Sequence, residues 1–561
     1  MAFLVIVGPA FFMGGTLPVI AAVLIERADD MTSKGGLIYG ANVMGAACGA
    51  LAGGMILPAL IGAPKTFYAA ALVNCGNFVF VYSLSRKAKA PASTFNALQR
   101  KRGRTEKPVN SPSAERGGPL NFYLGAVAFV SGFSMLTLEV LWNRMFAQVF
   151  QNSVYTFSAV VVVFLMALGA GSFLAAALDR RGWNRNAALS VLLLSTGAVC
   201  YATPFLFVEW TGLGFYAADS SWMDYMRKAF GLVLGIIFLP AALGGMILPL
   251  VWQLYDRAGI GRRVGVMNAA NTLGTVTGAL AAGFLMVPWL GVWRSIALVS
   301  MVYLVFADFS LGNLERKNLR KVLQYAVYVL ILSVMIFNPA TLTVQKLKPG
   351  ERLAFLKEGS GATVAVIDKN TGRAMKLNNH YTLGGVNAMV IERMQAQIPL
   401  LLHANPQSAV FIGLATGITA GAAVPFDLEE IHVAEIIPEV VEAARLFDDF
   451  NNGLLDRENV RIHREDGRNF ILGVDQTFDV IVSDLFVPNH AGTGYLYSKE
   501  HFANVAGKLK PGGIFCQWLS AYELSLTDFK TIAATFQSEF PVNSVWLGDF
   551  SLKKPLIGLI G

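Results

Sequence analysis

Cysteine and charge are both scarce in this sequence, and each shortage excludes something. Charged residues make up 15% of the 561 positions against 54% hydrophobic ones, and the mean hydropathy of +0.51 lies far above that of soluble chains. A single soluble globular domain is therefore excluded on both length and composition. Of four cysteines, Cys48, Cys75 and Cys200 stand singly in apolar segments and Cys516 stands alone in the polar part. No Cys-x-x-Cys or Cys/His spacing occurs, so neither a disulfide framework nor a metal site is expected. All six histidines fall after residue 379, without ligand spacing. Positive charge is also one-sided. Residues 346–561 hold 19 Lys+Arg against 24 Asp+Glu, whereas the first 345 hold 26 against 13. The basic excess belongs to the apolar part, so it gives no argument for nucleic acid.

What the chain has in quantity is apolar runs long enough to span a bilayer. Ten spans are expected, at 1–25, 37–62, 66–84, 120–141, 154–178, 187–208, 229–254, 264–287, 292–311 and 322–338. Together they predict a polytopic transmembrane domain over 1–340, in contact with a lipid bilayer. The first run has no basic n-region and carries Pro9 and Pro18, so it reads as a span rather than a signal peptide. Residues 85–119, rich in Lys, Arg, Pro and Ser, predict a disordered linker. That linker and the basic clusters at 180–185, 257–263 and 316–321 fall on one side of the expected spans, as cytoplasmic loops do. Few ionisable residues lie at membrane depth. Glu139, just before Trp142 and Arg144, reads either as functional or, preferentially, as paired locally with Arg144.

The helical part repeats itself. Residues 41–54 and 270–283 agree at eight of 14 positions at a constant offset of 229, with Asn42, Gly45 and Gly49 matching Asn271, Gly274 and Gly278. Repeats over 1–84 and 229–311 predict a repeat-built bundle of the kind transporters use. Spans 120–208 precede the second copy and nothing comparable precedes the first, so either a half-bundle is missing or the start is late.

From Glu351 the pattern turns to that of an α/β domain, expected over 341–561. Thr363 to Leu377 reads as a small β-hairpin, and Val386 to His403 as a helix. Ala409 to Ile412 is a buried strand followed by Gly413-Leu-Ala-Thr416-Gly417, with a helix expected at Ile418 to Val424. Further strands are expected at Ile431–Val433, Val460–His463, Phe478–Asp484 and Gly512–Trp518. Glu435, Asp466-Gly467 and Asp484 then sit at three successive strand ends, where an open parallel sheet binds its ligands. A Gly-rich turn lets backbone N–H groups approach a nucleotide, and an acid at the end of the next strand accepts ribose hydroxyls.

The hairpin, the Gly-rich turn, Glu435, Asp466-Gly467, Asp484 and Gly512-Gly513 resemble the spermidine synthase (aminopropyltransferase) domain, on its Rossmann-like, methyltransferase-type fold. The repeated Asn…Gly…Gly block and Leu138-Glu139-Val-Leu-Trp142 resemble bacterial fusions of a transporter-like membrane region to that domain, which implies a place in a bacterial inner membrane. The resemblance implies that Gly413, Thr416 and Gly417 line the nucleoside turn, that Glu435 holds the ribose and that Asp466-Gly467 contacts the adenine. It makes Asp484 the acid that helps deprotonate an attacking amine. It further implies decarboxylated S-adenosylmethionine or S-adenosylmethionine as co-substrate, a small-molecule amine as partner, no metal, and a homodimer.

Two departures stand out. Thr416 replaces the family's turn Asp, and Val487 replaces the second Asp of its Asp-x-x-Asp-Pro motif. The nucleoside half of the site is therefore better preserved than the amine half, and discrimination for the decarboxylated donor is expected to be weak. Two alternatives remain: methyl transfer or lyase chemistry on the same fold, and a transporter or sensor whose domain only binds the nucleoside. Counting spans delivers the α/β part outside, whereas the cytosolic origin of the donor and the lone Cys516 favour a cytoplasmic placement.

Overall fold

The computed structural model describes residues 14–25, 27–87, 118–216, 221–255, 259–311, 317–336, 342–488, 490–548 and 554–561. The first half of the expected span 1–25 and nearly all of the linker 85–119 lie outside these residues. The helical part consists of α1 (Gly14–Leu24), α2 (Met31–Leu51), α3 (Leu57–Ile61), α4 (Ala63–Lys87), α5 (Gly118–Phe146), α6 (Val154–Asp179) and α7 (Arg185–Thr211). It continues with α8 (Trp222–Leu254), α9 (Ile260–Ala281), α10 (Val287–Leu311) and α11 (Lys317–Ile336). Among the described residues, six helical stretches are long and apolar enough to cross a membrane: Met31–Ile61, Leu120–Phe146, Val154–Asp179, Arg185–Thr211, Trp222–Leu254 and Ile260–Leu311. The last of these contains two expected spans joined at a kink. Of the remaining expectations, α4 and α11 are helical but outside this set, and the first is represented by the short α1.

The repeat returns in the backbone. After α2 comes a π-helical turn at Ala52–Ile56 and then Gly62 at φ +79°; after α9 comes one at Ala282–Met286 and then Gly291 at φ +77°. Such turns mark a local unwinding that a regular helix avoids, and here the two copies place it within one residue of matching positions. Glu139 departs from expectation. Arg144 does not pair with it; its guanidinium leaves the bundle, donating to the carbonyls of Gly361 and, at 2.7 Å, Gly359.

Those carbonyls belong to a four-stranded antiparallel sheet in the order β1 (Arg352–Glu358), β2 (Thr363–Lys369), β3 (Gly372–Leu377), β4 (Tyr381–Gly385). The expected hairpin is β2–β3, extended on both sides. Helix α12 (Met389–Leu402) follows, three residues shorter at its start than expected because Val386–Ala388 forms a tighter 3-10 turn.

The second sheet has seven strands: β5 (Ser408–Ile412), β6 (Glu430–Ala434), β7 (Val460–His463), β8 (Phe478–Ser483), β9 (Leu509–Ser520), β10 (Ser544–Leu547) and β11 (Leu556–Ile560). Their spatial order is β10-β11-β9-β8-β5-β6-β7, with β5 to β9 parallel and β10 and β11 antiparallel. Alternate residues of β5 feed two cores: Ala409 and Phe411 join Val433, Val482 and Trp518 on one face, while Val410 and Ile412 join Phe470, Phe502 and Phe515 on the other. Burial on both faces explains why these strands read as continuous apolar runs. The chain reverses its direction of travel across the sheet between β5 and β8, which makes their carboxyl ends the place for a ligand.

Candidate functional site

At the end of β5 the backbone turns sharply, with Gly413 at φ +96°, Ala415 at +48° and Gly417 at +78°. Gly413 is needed for space as well, since a Cβ there would lie 3.4 Å from Asp484 Cβ and 3.2 Å from the Phe486 ring. The end of β8 can thus close on the turn. The helix expected over Ile418 to Val424 shrinks to α13 (Ile418–Gly421). A Cβ at Gly421 would lie 2.0 Å from the Asn451 carbonyl, and Asn452 Nδ2 takes the Gly421 carbonyl at 2.9 Å. Tertiary packing therefore ends the helix after one turn.

Glu435, buried after β6, accepts from Leu414 N (Oε2, 3.1 Å) and from Ile437 N (Oε1, 2.9 Å). Burial raises its pKa and these N–H groups partly offset the rise. The backbone N–H groups of Ala415 and Ile436 act on the same carboxylate, so four donors of the turn and the strand end hold it in place. Past α14 (Pro438–Ala444), Asp466 caps α15 (Gly467–Gly473) through Arg468 N at 2.9 Å. The Arg468 guanidinium also clasps both of its oxygens, at 3.0 Å and 2.5 Å, and holds the acid below the ordinary carboxylate range. Gly467 packs on β5, where a Cβ would meet Ile412 at 2.5 Å.

The other side of the cleft is built differently. Among the described residues Asp484 accepts only from Leu485 N, at 2.7 Å through Oδ1. Desolvation, with a contribution from Glu435, pushes its pKa up to about 6. Thr416, buried in the turn, donates through Oγ1 at 2.8 Å to Glu392 Oε2. Glu392 comes from α12 and also accepts from Gly385 N at 2.9 Å. Its pKa is pushed up to about 7 by burial, with Asp484 adding to the rise. Gly384 makes room for it, since a Cβ there would sit 2.8 Å from Glu392 Oε1. Tyr381 and Tyr497 line the same region; burial raises both phenols and Asp484 contributes to each. Tyr497 donates to the Phe486 carbonyl at 2.6 Å, and Val487 is buried and apolar.

No salt bridge among the described residues involves Glu392, Glu435 or Asp484. Like charges in a desolvated cleft raise each other's pKa and favour an incoming cation. The sequence singled out Gly413, Thr416, Gly417, Glu435 and Asp484, which the fold does bring together, and Asp466 and Gly467, which lie beyond β5. It missed Glu392, Tyr381 and Tyr497. A signal for Glu392 was available: it is the only acid in the helix that follows Gly384-Gly385. Among the described residues no group of His, Cys, Asp and Glu is arranged to hold a metal ion.

Comparison with known proteins adds an independent line. The profile of the spermine/spermidine synthase domain matches residues 389–547. The polyamine aminopropyltransferase of Corynebacterium efficiens is 28% identical over 350 residues, which is 57% of this chain and 66% of that protein. That of Oceanobacillus iheyensis is 22% identical over 422 residues (72% and 78%), and that of Mycobacterium tuberculosis 27% over 406 (66% and 76%). Alignments of this length run past the α/β domain into the helices. Among solved structures, spermidine synthase from Thermotoga maritima matches with a TM-score of 0.34 at 20% identity, over 37% of this chain and 72% of that one. A spermidine synthase in complex with the transition-state analogue AdoDATO matches with a TM-score of 0.33, also at 20% identity, over 37% and 71%.

Proposed function

Since the chain belongs, through its C-terminal domain, to the spermine/spermidine synthase family, we propose that it transfers an aminopropyl group from decarboxylated S-adenosylmethionine to a small amine, releasing methylthioadenosine. The observation that carries this reading is the pair of cation-free acids, Glu392 and Asp484, across the turn at the switch point of the sheet. The Gly413–Gly417 turn and Glu435 take the nucleoside, with Asp466 and Gly467 closing the far wall. The amine nitrogen attacks the propyl carbon next to the sulfonium, the carbon–sulfur bond breaks, and Asp484 accepts the proton the amine must lose. Tyr381 and Tyr497 give the amine an aromatic wall.

Glu392 changes the expected donor preference. The negative charge missing at Thr416 returns beside it from another helix, hydrogen-bonded to that residue. A carboxylate there attracts the donor's ammonium and repels the carboxylate that S-adenosylmethionine keeps, so the decarboxylated donor is preferred. The apolar helices hold the enzyme in a membrane, with the α/β domain on the cytoplasmic side where its donor is made. An impermeant thiol reagent should therefore leave a surface cysteine introduced in that domain unlabelled in intact cells.

Purified full-length protein incubated with each donor and a series of amines, with products read by mass spectrometry, tests the activity. Amine-dependent methylthioadenosine is expected. S-adenosylhomocysteine, or no turnover despite nucleoside binding, would overturn it.

A further inference from the structure

Helices α5 and α6 are joined by the short segment 147–153, which is anchored firmly in the helical part. Val149 and Phe150 are fully buried in its core, and the Phe150 ring packs edge-on against Tyr225. Ser153 caps α6 by accepting from Thr156 N at 3.3 Å, and Thr156 Oγ1 donates to the Gln151 carbonyl at 2.7 Å. Buried apolar contacts and closed hydrogen bonds together hold the segment to one path.

Gln148, in the middle of it, reaches into the α/β part. The side chain is buried; Nε2 donates to Thr363 Oγ1 at 3.0 Å, and Oε1 accepts from Asn379 Nδ2 at 3.3 Å. Asn379 also accepts from Lys346 N at 2.6 Å and donates to the Val344 carbonyl at 2.7 Å. The next residue, His380, lies flat on Phe215 of the segment between α7 and α8, with ring centroids 4.4 Å apart. Tyr381 follows at once and opens β4, so its ring enters the cleft from backbone that the helical part fixes. A second tie reaches the same side of the cleft. Ala491 N donates to the Asn152 carbonyl at 2.8 Å, and the neighbouring His490 ring packs edge-on to Tyr381 at 5.4 Å. Ala491 belongs to the loop that leads on from Asp484 and Val487. By contrast, Glu435 and Asp466 take their hydrogen bonds from within the α/β part.

We propose that Gln148 is a positioning residue for the amine: through Thr363 and Asn379 it sets the start of β4, and with it the Tyr381 wall, against Asp484. The inference rests on the aminopropyl-transfer reading above. Asp484 itself is placed independently, since its N–H donates to the Ile412 carbonyl at 3.1 Å. Loosening Gln148 therefore moves the wall and leaves the proton acceptor in place. Val487 is buried and apolar and offers the amine no charge, which gives the placing of the aromatic wall more weight in recognition.

The test uses full-length wild-type, Gln148→Leu and Thr363→Val proteins, assayed with the decarboxylated donor and a series of amines. Gln148→Leu strips Thr363 and Asn379 of a partner at once and should raise the amine KM about tenfold. Both kcat and nucleoside affinity should stay within about twofold, the pattern of lost amine binding alone. Thr363→Val keeps the shape, removes one of the two bonds and should raise the amine KM about threefold. The double variant should match Gln148→Leu, because the two changes break the same bond. An unchanged amine KM, an equal loss of nucleoside affinity, or a lower kcat and melting temperature at constant KM would each overturn the proposal. The last of these is the mark of a purely structural contact. Should Gln148→Leu fail to fold, Thr363→Val makes the same comparison, and an unchanged KM there overturns the proposal too. A wild type that makes no amine-dependent methylthioadenosine refutes the transfer reading itself, and this inference falls with it.

Discussion

The two sides of the cleft contain acids of the same kind in opposite circumstances. Around β6 and β7, Glu435 and Asp466 are met by the protein's own donors: four backbone N–H groups for the first, those of Ile437, Leu414, Ala415 and Ile436, which offset part of the rise that burial gives its pKa, and a backbone N–H and a guanidinium for the second. Around α12 and β8, Glu392 and Asp484 receive a few neutral hydrogen bonds and no cation, and their pKa values rise to about 7 and about 6. A satisfied acid fixes a position, whereas an unsatisfied one in a desolvated cleft is held ready for a charge or a proton. The proposed activity uses the difference, with positioning on the first side and chemistry on the second.

The most severe way to break this contrast is at Asp484. Asp484→Asn keeps the shape and the Leu485 contact but removes the proton acceptor. Turnover should fall about 10²- to 10⁴-fold while nucleoside affinity stays within a few-fold. Steady-state rates and calorimetry on the same preparation check it, and equal turnover would return Asp484 to the role of a loop cap.

Next comes Glu392. Glu392→Gln keeps the bond from Gly385 N, reverses the one with Thr416 so that the amide donates to the hydroxyl, and removes the charge, so the KM for the decarboxylated donor should rise by about 1.5–3 kcal/mol in binding, and the preference over S-adenosylmethionine should shrink. An unchanged donor preference would separate Glu392 from the donor's ammonium. The raised pKa values also have a consequence for stability. An acid whose folded pKa lies above its ordinary value contributes stability that is complete at low pH and is lost as the pH rises through the folded pKa. With ordinary values of 3.8 and 4.5 and folded values of about 6 and about 7, these two acids make the ligand-free domain less stable at pH 8 than at pH 5. Melting curves of the Glu392→Gln/Asp484→Asn double variant should show a smaller difference between those two pH values.

Glu435→Ala should cost nucleoside binding about 1–3 kcal/mol, because the ribose acceptor and the brace of the Leu414 turn are lost together. Turnover at saturating donor should change little. A kcat loss as large as that of Asp484→Asn would erase the distinction between the two sides.

How much of this could be read in advance follows from what each residue depends on. The strands β5, β6, β8 and β9 were legible because burial on both faces writes an apolar run, the edge strand β7 because Val460 and Ile462 alternate with polar residues, and the acids after them because strand ends are punctuated. Strands β1, β4, β10 and β11 were not: β10 is exposed along its whole length, and β4 carries two of its five positions as glycine. Helix α13 is short because Asn451 meets Gly421 from a segment 30 residues away. Glu392 reached the cleft only by tertiary packing, and Arg144 found partners more than 200 residues along the chain.

The smallest expected effect is at Asp466, and it tests the contrast from the satisfied side. If its carboxylate is committed to Arg468, then Asp466→Asn, which can still cap α15, should change nucleoside affinity by no more than about 1 kcal/mol, the size of a partly exposed ion pair. Resemblance to the family instead implies a direct contact with the adenine. That contact requires Arg468 to swing away, because both oxygens are now clasped. Arg468→Ala decides between the two arrangements. If the guanidinium competes with the adenine, removing it frees the acid and tightens nucleoside binding. If Arg468 only orders the start of α15, removing it weakens binding slightly. Calorimetry on both variants gives the sign, and a loss at Asp466→Asn as large as that at Glu435→Ala would show that a clasped acid on this side can still read the ligand directly.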